Sequence, residues 1–194
     1  MEPSLLFHVA DRAIPAGEAV RPYGIAREYP ALLRLAGQAI EVGPDAVRRL
    51  LSGRAWDDLR RHGGDRAEMV LMEAAFERAR LLTAPQLPSR LDAVYAWGSL
   101  ALAERFRAGY RPAGVIHCCT FIAGTAVERD AALVVRAFEV TDLANASAEA
   151  LRQVEELAVQ YWRAPALMAW PEVLIHGTAM VKAVAKAGEE ARPT

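Results

Sequence analysis

The chain has 194 residues, a length that suits one domain spanning residues 1–194 or at most two small ones. Hydrophobic residues make up 53% of the sequence and charged residues 24%, so the chain can bury a full core. Its formal net charge of −1 gives no general attraction to nucleic acid or to a membrane surface, and we expect no membrane partner.

The first stretch, "MEPSLLFHVADR", places a histidine inside the first apolar run. Residues 4–10 predict a strand that is buried on both faces, because apolar residues occupy most of its positions. An acidic residue stands where a signal peptide carries its basic segment, and the apolar run is too short, so we expect a cytoplasmic protein. The prolines and glycines of "IPAGEAVRPYG" then indicate a loop.

Two helices are predicted after this loop. Residues 44–61 carry a proline near the start and leucines at helical spacing. Residues 65–82 carry methionines and a phenylalanine on one helical face, and the glycines of "HGGD" separate the two segments. We therefore expect a helical insertion near residues 44–82.

The second half of the chain is richer in predicted strands. "AVYAW" reads as a short strand, after which Gly98 and Ser99 begin a helix that runs to about Ala108, with Ser99 as its N-cap. "GVIHCCTF" and "ALVVRAFEV" read as strands, "SAEALRQVEELAVQYW" as a helix capped by Ser147, and "PEVLIHG" as the last core strand. Because helices and strands do not alternate regularly, we predict an α+β fold with a mixed or antiparallel sheet.

The two cysteines, Cys118 and Cys119, are adjacent in one of these strands. Neighbouring strand residues point to opposite faces, so a disulfide between them is disfavoured and free thiols fit a reducing cytoplasm. His117 precedes the pair, but zinc sites need a second pair of ligands elsewhere, and we predict no metal. The longest uncharged run of this half, residues 112–127, is shorter than the roughly 20 residues of a membrane span.

Four side chains in three separate stretches are candidates for ligand binding. His8 lies in the first strand, Tyr95 and Phe106 flank a strand-to-helix turn, and Glu172 lies in the apolar stretch "WPEVLI". A buried carboxylate needs a partner or a ligand, because an unpaired buried charge costs roughly several kcal/mol. Together these groups suit an aromatic, hydroxyl-bearing ligand such as a nucleotide, although each residue taken singly also fits an ordinary core or surface position.

In this order the three stretches resemble the motifs of the ADP-ribosyltransferase superfamily, in its branch with a His–Tyr–Glu triad. "LFHVADR" resembles the first motif, "AVYAWGSLALAERF" the second and "PEVLIHG" the third. The motifs are short but span the chain in order, and the stretch 40–90 has no counterpart. The resemblance implies a split mixed or antiparallel sheet, and NAD as the substrate from which nicotinamide is released.

The resemblance also assigns roles to individual residues. His8 is expected to hydrogen-bond a ribose hydroxyl of NAD, and the backbone of Val9, where many relatives have glycine, to hold the nicotinamide carboxamide. Tyr95 and Phe106 are expected to sandwich the nicotinamide ring. Glu172 is expected to be the catalytic carboxylate that stabilises the oxocarbenium-like ribose.

Three further positions refine this interpretation. Arg12 either meets the pyrophosphate of NAD or is an ordinary surface arginine. Ser99 alone represents the small hydroxyl residues common in the second motif. Arginine-modifying relatives carry an acid or amide two residues before the glutamate, and Trp170 stands there, so we expect another acceptor: a nucleobase, a phosphate, a carboxylate or a small molecule.

Two alternatives stay open at this point. One is an NAD-dependent RNA 2′-phosphotransferase, which needs several basic residues near His8, where the sequence offers only Arg12. The other is a degenerate relative that binds a nucleotide or a protein without turnover. The basic run from Arg48 to Arg61 is either a solvated helix face or a grip on a nucleic-acid acceptor, and the glycine patterns of phosphate-binding loops and dinucleotide folds are absent.

Overall fold

A computed structural model of the chain describes residues 5–22, 24–41, 61, 66–141, 148–163 and 167–185. Its contacts fall into two compact units. The first, called the sheet unit below, comprises residues 1–23, 93–129 and 170–194, and the second, the helical unit, comprises residues 24–92 and 130–169. The expectation of a single domain over residues 1–194 stays a prediction.

The described elements are β1 (Leu5–Ala10), β2 (Ala19–Val20), α1 (Ile25–Glu28), α2 (Pro30–Glu41), α3 (Ala67–Thr83), a 3-10 turn (Arg90–Asp92), β3 (Val94–Ala96), α4 (Leu100–Tyr110), β4 (Val115–Asp130), α5 (Ala131–Val140), α6 (Ala148–Arg163) and β5 (Pro171–Val184). Strands and helices follow no regular alternation, which confirms the predicted α+β class. None of the described helices is long and apolar enough to cross a bilayer.

The five strands form one sheet in the order β1–β4–β5–β2, with β3 paired to β5. Strand β1 runs antiparallel to β4, with His8 opposite His117. Strands β2 and β3 both run antiparallel to β5, with Tyr95 opposite Leu174. The sequence predicted a mixed or antiparallel sheet, and these pairs are antiparallel.

One face of this sheet is the core of the sheet unit. Its buried members are Leu6, Val20, Val94, Ala96, Cys119, Val173, Ile175, Ala179 and Val181. On each strand they occupy alternate positions, as a two-residue repeat requires. Burying one such aliphatic side chain stabilises the fold by about 1.5–3 kcal/mol. The fold is therefore favoured when these residues, and not their neighbours along the strand, point inward.

A buried ion pair lies in the helical unit. Glu73 and Arg90 are 4% exposed each and form two hydrogen bonds of 3.1 Å. The Arg90 guanidinium also donates to the Tyr161 hydroxyl at 2.7 Å and lies over the Phe76 and Tyr161 rings. Because both charges are out of water, removing either one would take a buried ion-pair partner from the other, which is strongly destabilising.

The prediction of a strand for "ALVVRAFEV" is wrong, because this segment is helix α5 (Ala131–Val140). A short apolar run fits a buried strand and a buried helix equally well, so periodicity alone does not decide between them. The Asp130 carboxylate decides it locally: it accepts a hydrogen bond from the Ala132 N–H at 3.0 Å and caps the helix.

Most other predicted elements are confirmed. The strands at residues 4–10 and "AVYAW" are β1 and β3, the helix over 65–82 is α3, and Ser99 caps α4 by accepting from the Leu102 N–H at 3.3 Å. Strand β5 begins with the predicted "PEVLIHG" and continues beyond it to Val184. The predicted helix over 44–61, except Arg61, and the Ser147 cap lie outside the described residues.

Candidate functional site

The pairing between β1 and β3 stops after one pair of residues. Phe7 and Trp97 exchange two backbone hydrogen bonds of 2.8 Å. In a continuous antiparallel ladder the next such pair would be Val9 and Tyr95. Instead, the Tyr95 carbonyl oxygen is 2.7 Å from Nδ1 of His8. A side chain thus takes a position that a backbone N–H would otherwise fill.

This hydrogen bond fixes the chemical state of His8. A carbonyl oxygen only accepts, so Nδ1 carries the hydrogen, and in the neutral ring Nε2 is a hydrogen-bond acceptor. Burial lowers the pKa of His8 below its ordinary value of 6.5, while the bond to Tyr95 acts in the opposite direction. The ring is therefore neutral at pH 7. Nε2 forms no hydrogen bond with any residue that the structure describes.

A second imidazole faces the first from strand β4. The rings of His117 and His8 lie 6.5 Å apart, and His117 is fully buried. Its Nε2 accepts a hydrogen bond of 2.9 Å from the Ile14 N–H, which ties the loop after β1 to the sheet. Burial lowers the pKa of His117 as well, so this ring is also neutral. Sequence reasoning considered His117 only as a metal ligand, because the β1–β4 pairing is not visible in the sequence.

Glu172 and His8 lie on opposite faces of the sheet. Tyr95 is opposite Leu174, and Glu172, two positions before Leu174, shares their face by strand alternation. His8 shares the other face with Leu6, a member of the core. Glu172 is only 4% exposed. A ligand that touches both groups must therefore reach them where the β1–β3 pairing ends.

Phe106 belongs to a cluster of aromatic rings. Its ring centroid is 4.4 Å from that of Trp97, 5.5 Å from that of Tyr110 and 6.4 Å from that of Trp170. Trp97, to which the sequence analysis assigned no role, is 2% exposed and links Phe106 to the end of β3. The expected sandwich of a nicotinamide ring between Tyr95 and Phe106 stays a prediction.

Three other residues that the sequence assigns to the NAD site are Val9, Ser99 and Arg12. Val9 is buried and packs against the turn at Gly114, where an added Cβ would lie 2.8 Å from the Val9 side chain. Ser99 uses its hydroxyl to cap α4. Arg12 lies exposed in the loop after β1, and its neighbour Asp11 pairs with Arg111 at 2.8 Å.

The two cysteines are free in the structure. Burial raises the pKa of the Cys119 thiol to about 12, so it is protonated at neutral pH and is a poor nucleophile. Among the residues that the structure describes, no group of three His, Cys, Asp or Glu side chains is arranged to hold a metal ion. The expectation that the protein needs no metal stays a prediction.

No protein-family model matches this chain. A search of curated proteins likewise finds no similar sequence. The functional interpretation therefore depends on the three motifs and on the local geometry around His8.

Proposed function

We propose that this protein is an NAD-dependent ADP-ribosyltransferase that releases nicotinamide and transfers ADP-ribose to an acceptor other than arginine. The observation that carries the proposal is the hydrogen bond between His8 Nδ1 and the Tyr95 carbonyl at the end of the β1–β3 pairing. It joins the first two motif residues, which are far apart in sequence, and it leaves His8 with an acceptor atom that suits a ribose hydroxyl.

The backbone next to His8 suits an amide ligand. Phe7 turns its N–H and C=O toward β3, and alternation along the strand turns those of Val9 the same way. The ladder ends before Val9, because His8 has taken the Tyr95 carbonyl. A carboxamide has one donor group and one acceptor, which match the Val9 C=O and N–H in that order.

Glu172 would supply the negative charge that the reaction needs. Bound NAD contributes a C1′–N bond that breaks, with nicotinamide taking the electron pair, and C1′ then bonds to the acceptor, whose proton passes to water. A carboxylate near C1′ stabilises the positive charge that develops, and fixed charges of this kind are worth several kcal/mol. The low exposure of Glu172 would strengthen this interaction, since little water screens it.

One observation favours a second function, nucleotide binding without turnover. Glu172 and His8 lie on opposite faces of the sheet, and Glu172 is almost fully buried. If the carboxylate does not reach the ribose, the site still binds a nucleotide through His8 but lacks its catalytic charge.

Two measurements on the purified protein separate these functions. Nicotinamide release from NAD is followed by chromatography, and NAD binding by calorimetry. Release that depends on Glu172 supports the transferase, and binding without release supports the second function. Absence of both would refute the two proposals together.

A further inference from the structure

The loop between β1 and β2 is hydrogen-bonded to the sheet through two amides whose acceptors differ. Ile14 alone among residues 11–18 is not exposed, and its side chain packs against the core of the sheet unit. Its N–H donates a hydrogen bond of 2.9 Å to Nε2 of His117, a side chain that is fully buried. Nearer to β2, the Gly17 N–H donates to the Val181 carbonyl oxygen at 2.8 Å. One acceptor is thus an imidazole nitrogen, and the other is a backbone oxygen.

Only the imidazole acceptor can be lost to a proton. The nitrogen of a neutral imidazole accepts through a single lone pair, whereas a protonated ring carries an N–H at both nitrogens and has no acceptor. If His117 were protonated, two N–H groups would meet across the 2.9 Å between its Nε2 and the Ile14 nitrogen. A backbone carbonyl does not titrate at these pH values, so the hydrogen bond of Gly17 is independent of pH.

The other histidine of the pair responds differently to a proton. The ring of His8 lies 6.5 Å from that of His117, but its Nδ1 is a donor to the Tyr95 carbonyl and not an acceptor. A protonated ring donates this bond equally well. Protonation of His8 therefore leaves the bond to Tyr95 in place, whereas protonation of His117 breaks the bond to the loop.

We propose that His117 is a pH-sensitive latch, which holds residues 12–16 against the sheet while its ring is neutral and releases them when the ring is protonated. Burial lowers the pKa of His117 below 6.5, so the ring binds a proton more readily once the loop has moved and water reaches it. A fall in pH therefore favours the released loop. The latch does not require NAD, so its failure would leave the proposed function untouched.

Other titratable groups also act on this part of the sheet. Besides the two histidines, they are Asp11, Arg111, Cys118, Cys119 and Lys182 among the residues that the structure describes. Asp11 and Arg111 form an ion pair of 2.8 Å, so their opposite charges act together. The Cys119 thiol, with its pKa raised to about 12, stays neutral. Lys182 acts on Cys118, which by strand alternation lies on the face opposite His117. Burial remains the largest influence on the pKa of His117.

The latch is tested in the complete protein by amide hydrogen exchange, followed by NMR between about pH 7.5 and about pH 5. Protection factors, which remove the intrinsic pH dependence of exchange, are compared for Ile14 and Gly17. The protection factor of Ile14 should fall by up to about 30-fold, the limit for one proton whose pKa is near 6.5 in the released loop and far below 5 in the latched one. That of Gly17 should stay constant.

The matched variant is His117→Gln, in which the glutamine carbonyl oxygen accepts from Ile14 at every pH. Ile14 should keep its protection at low pH in this variant. A wild-type protection factor of Ile14 that does not change with pH would overturn the latch. Parallel falls at Ile14 and Gly17 would also overturn it, because they would indicate general unfolding, as would an equal fall in the variant. If the variant does not fold, the wild-type comparison of the two amides still decides.

Discussion

Replacing His8 by asparagine separates the two nitrogens of its ring. The asparagine amide N–H takes the place of Nδ1 and can still donate to the Tyr95 carbonyl, which is 2.7 Å away in the wild type. Nothing in asparagine takes the place of Nε2. His8→Asn should therefore keep the fold and lose only the acceptor that we assign to a ribose hydroxyl.

The expected loss follows from the value of one hydrogen bond. A neutral hydrogen bond contributes about 0.5–1.5 kcal/mol net, which corresponds to a fall in NAD affinity of roughly twofold to tenfold. The melting temperature should stay within about 2 °C, since the bond to Tyr95 remains. Calorimetric titration with NAD and a thermal melt on the same preparation measure both quantities.

The matched control is His117→Gln. The glutamine carbonyl oxygen takes the place of Nε2 and still accepts from the Ile14 N–H. His117 faces His8 across the same pair of strands, so a general disturbance of this region would appear in both variants. If the affinity of His8→Asn equals that of the wild type, or if His117→Gln loses as much, Nε2 of His8 does not bind NAD.

Three further predictions concern charges inside the fold. Glu172→Gln should slow nicotinamide release by about 10²–10³-fold with little change in NAD affinity, and a destabilised variant with full turnover per folded molecule would make Glu172 structural. In the folded protein the pKa values of His8 and His117 lie below 6.5, so as the pH falls the unfolded chain binds protons at a higher pH than the folded protein does. Thermal melts should therefore show a stability that is constant above about pH 7 and decreases toward pH 5. The decrease should be less steep in His117→Gln. Glu73→Ala should lower the free energy of unfolding by about 3–5 kcal/mol in urea titrations, because it removes the buried carboxylate that pairs with Arg90, and adding Arg90→Met should recover part of the loss.

The features that the sequence predicted correctly depend on contacts between residues that are close together in the sequence. Ser99 caps α4 because its hydroxyl reaches an N–H three residues ahead, and this relation is written in the local sequence. The apolar side chains of α3 likewise recur at a spacing that is contained within one helix. The strand predicted for "ALVVRAFEV" is wrong because the apolar pattern of this segment fits both a strand and a helix. The residue that caps the helix, Asp130, lies just before the segment.

The site depends on contacts that local patterns do not contain. His8 and Tyr95 are 87 positions apart, and their bond exists only because the ladder between β1 and β3 stops after Phe7 and Trp97. His117 lies 103 positions from Ile14, whose N–H donates a hydrogen bond to its Nε2. Sequence motifs indicated which residue types belong together, but strand pairing decides which atoms meet.

The proposed chemistry depends most on which face of the sheet His8 and Glu172 occupy. Along a strand, a shift of one position moves a side chain to the other face, so motif order alone does not bring His8 and Glu172 together. A continuous sheet would separate them by its full thickness. The β1–β3 ladder, however, ends beside Trp97, where the His8 ring replaces the next backbone bond. A ribose bound at that end would have one hydroxyl toward Nε2 on one face and its C1′ toward the face of Glu172. The interruption of the ladder is thus what the proposed transferase activity would require of this fold, and closing it should remove that activity even with every motif residue in place.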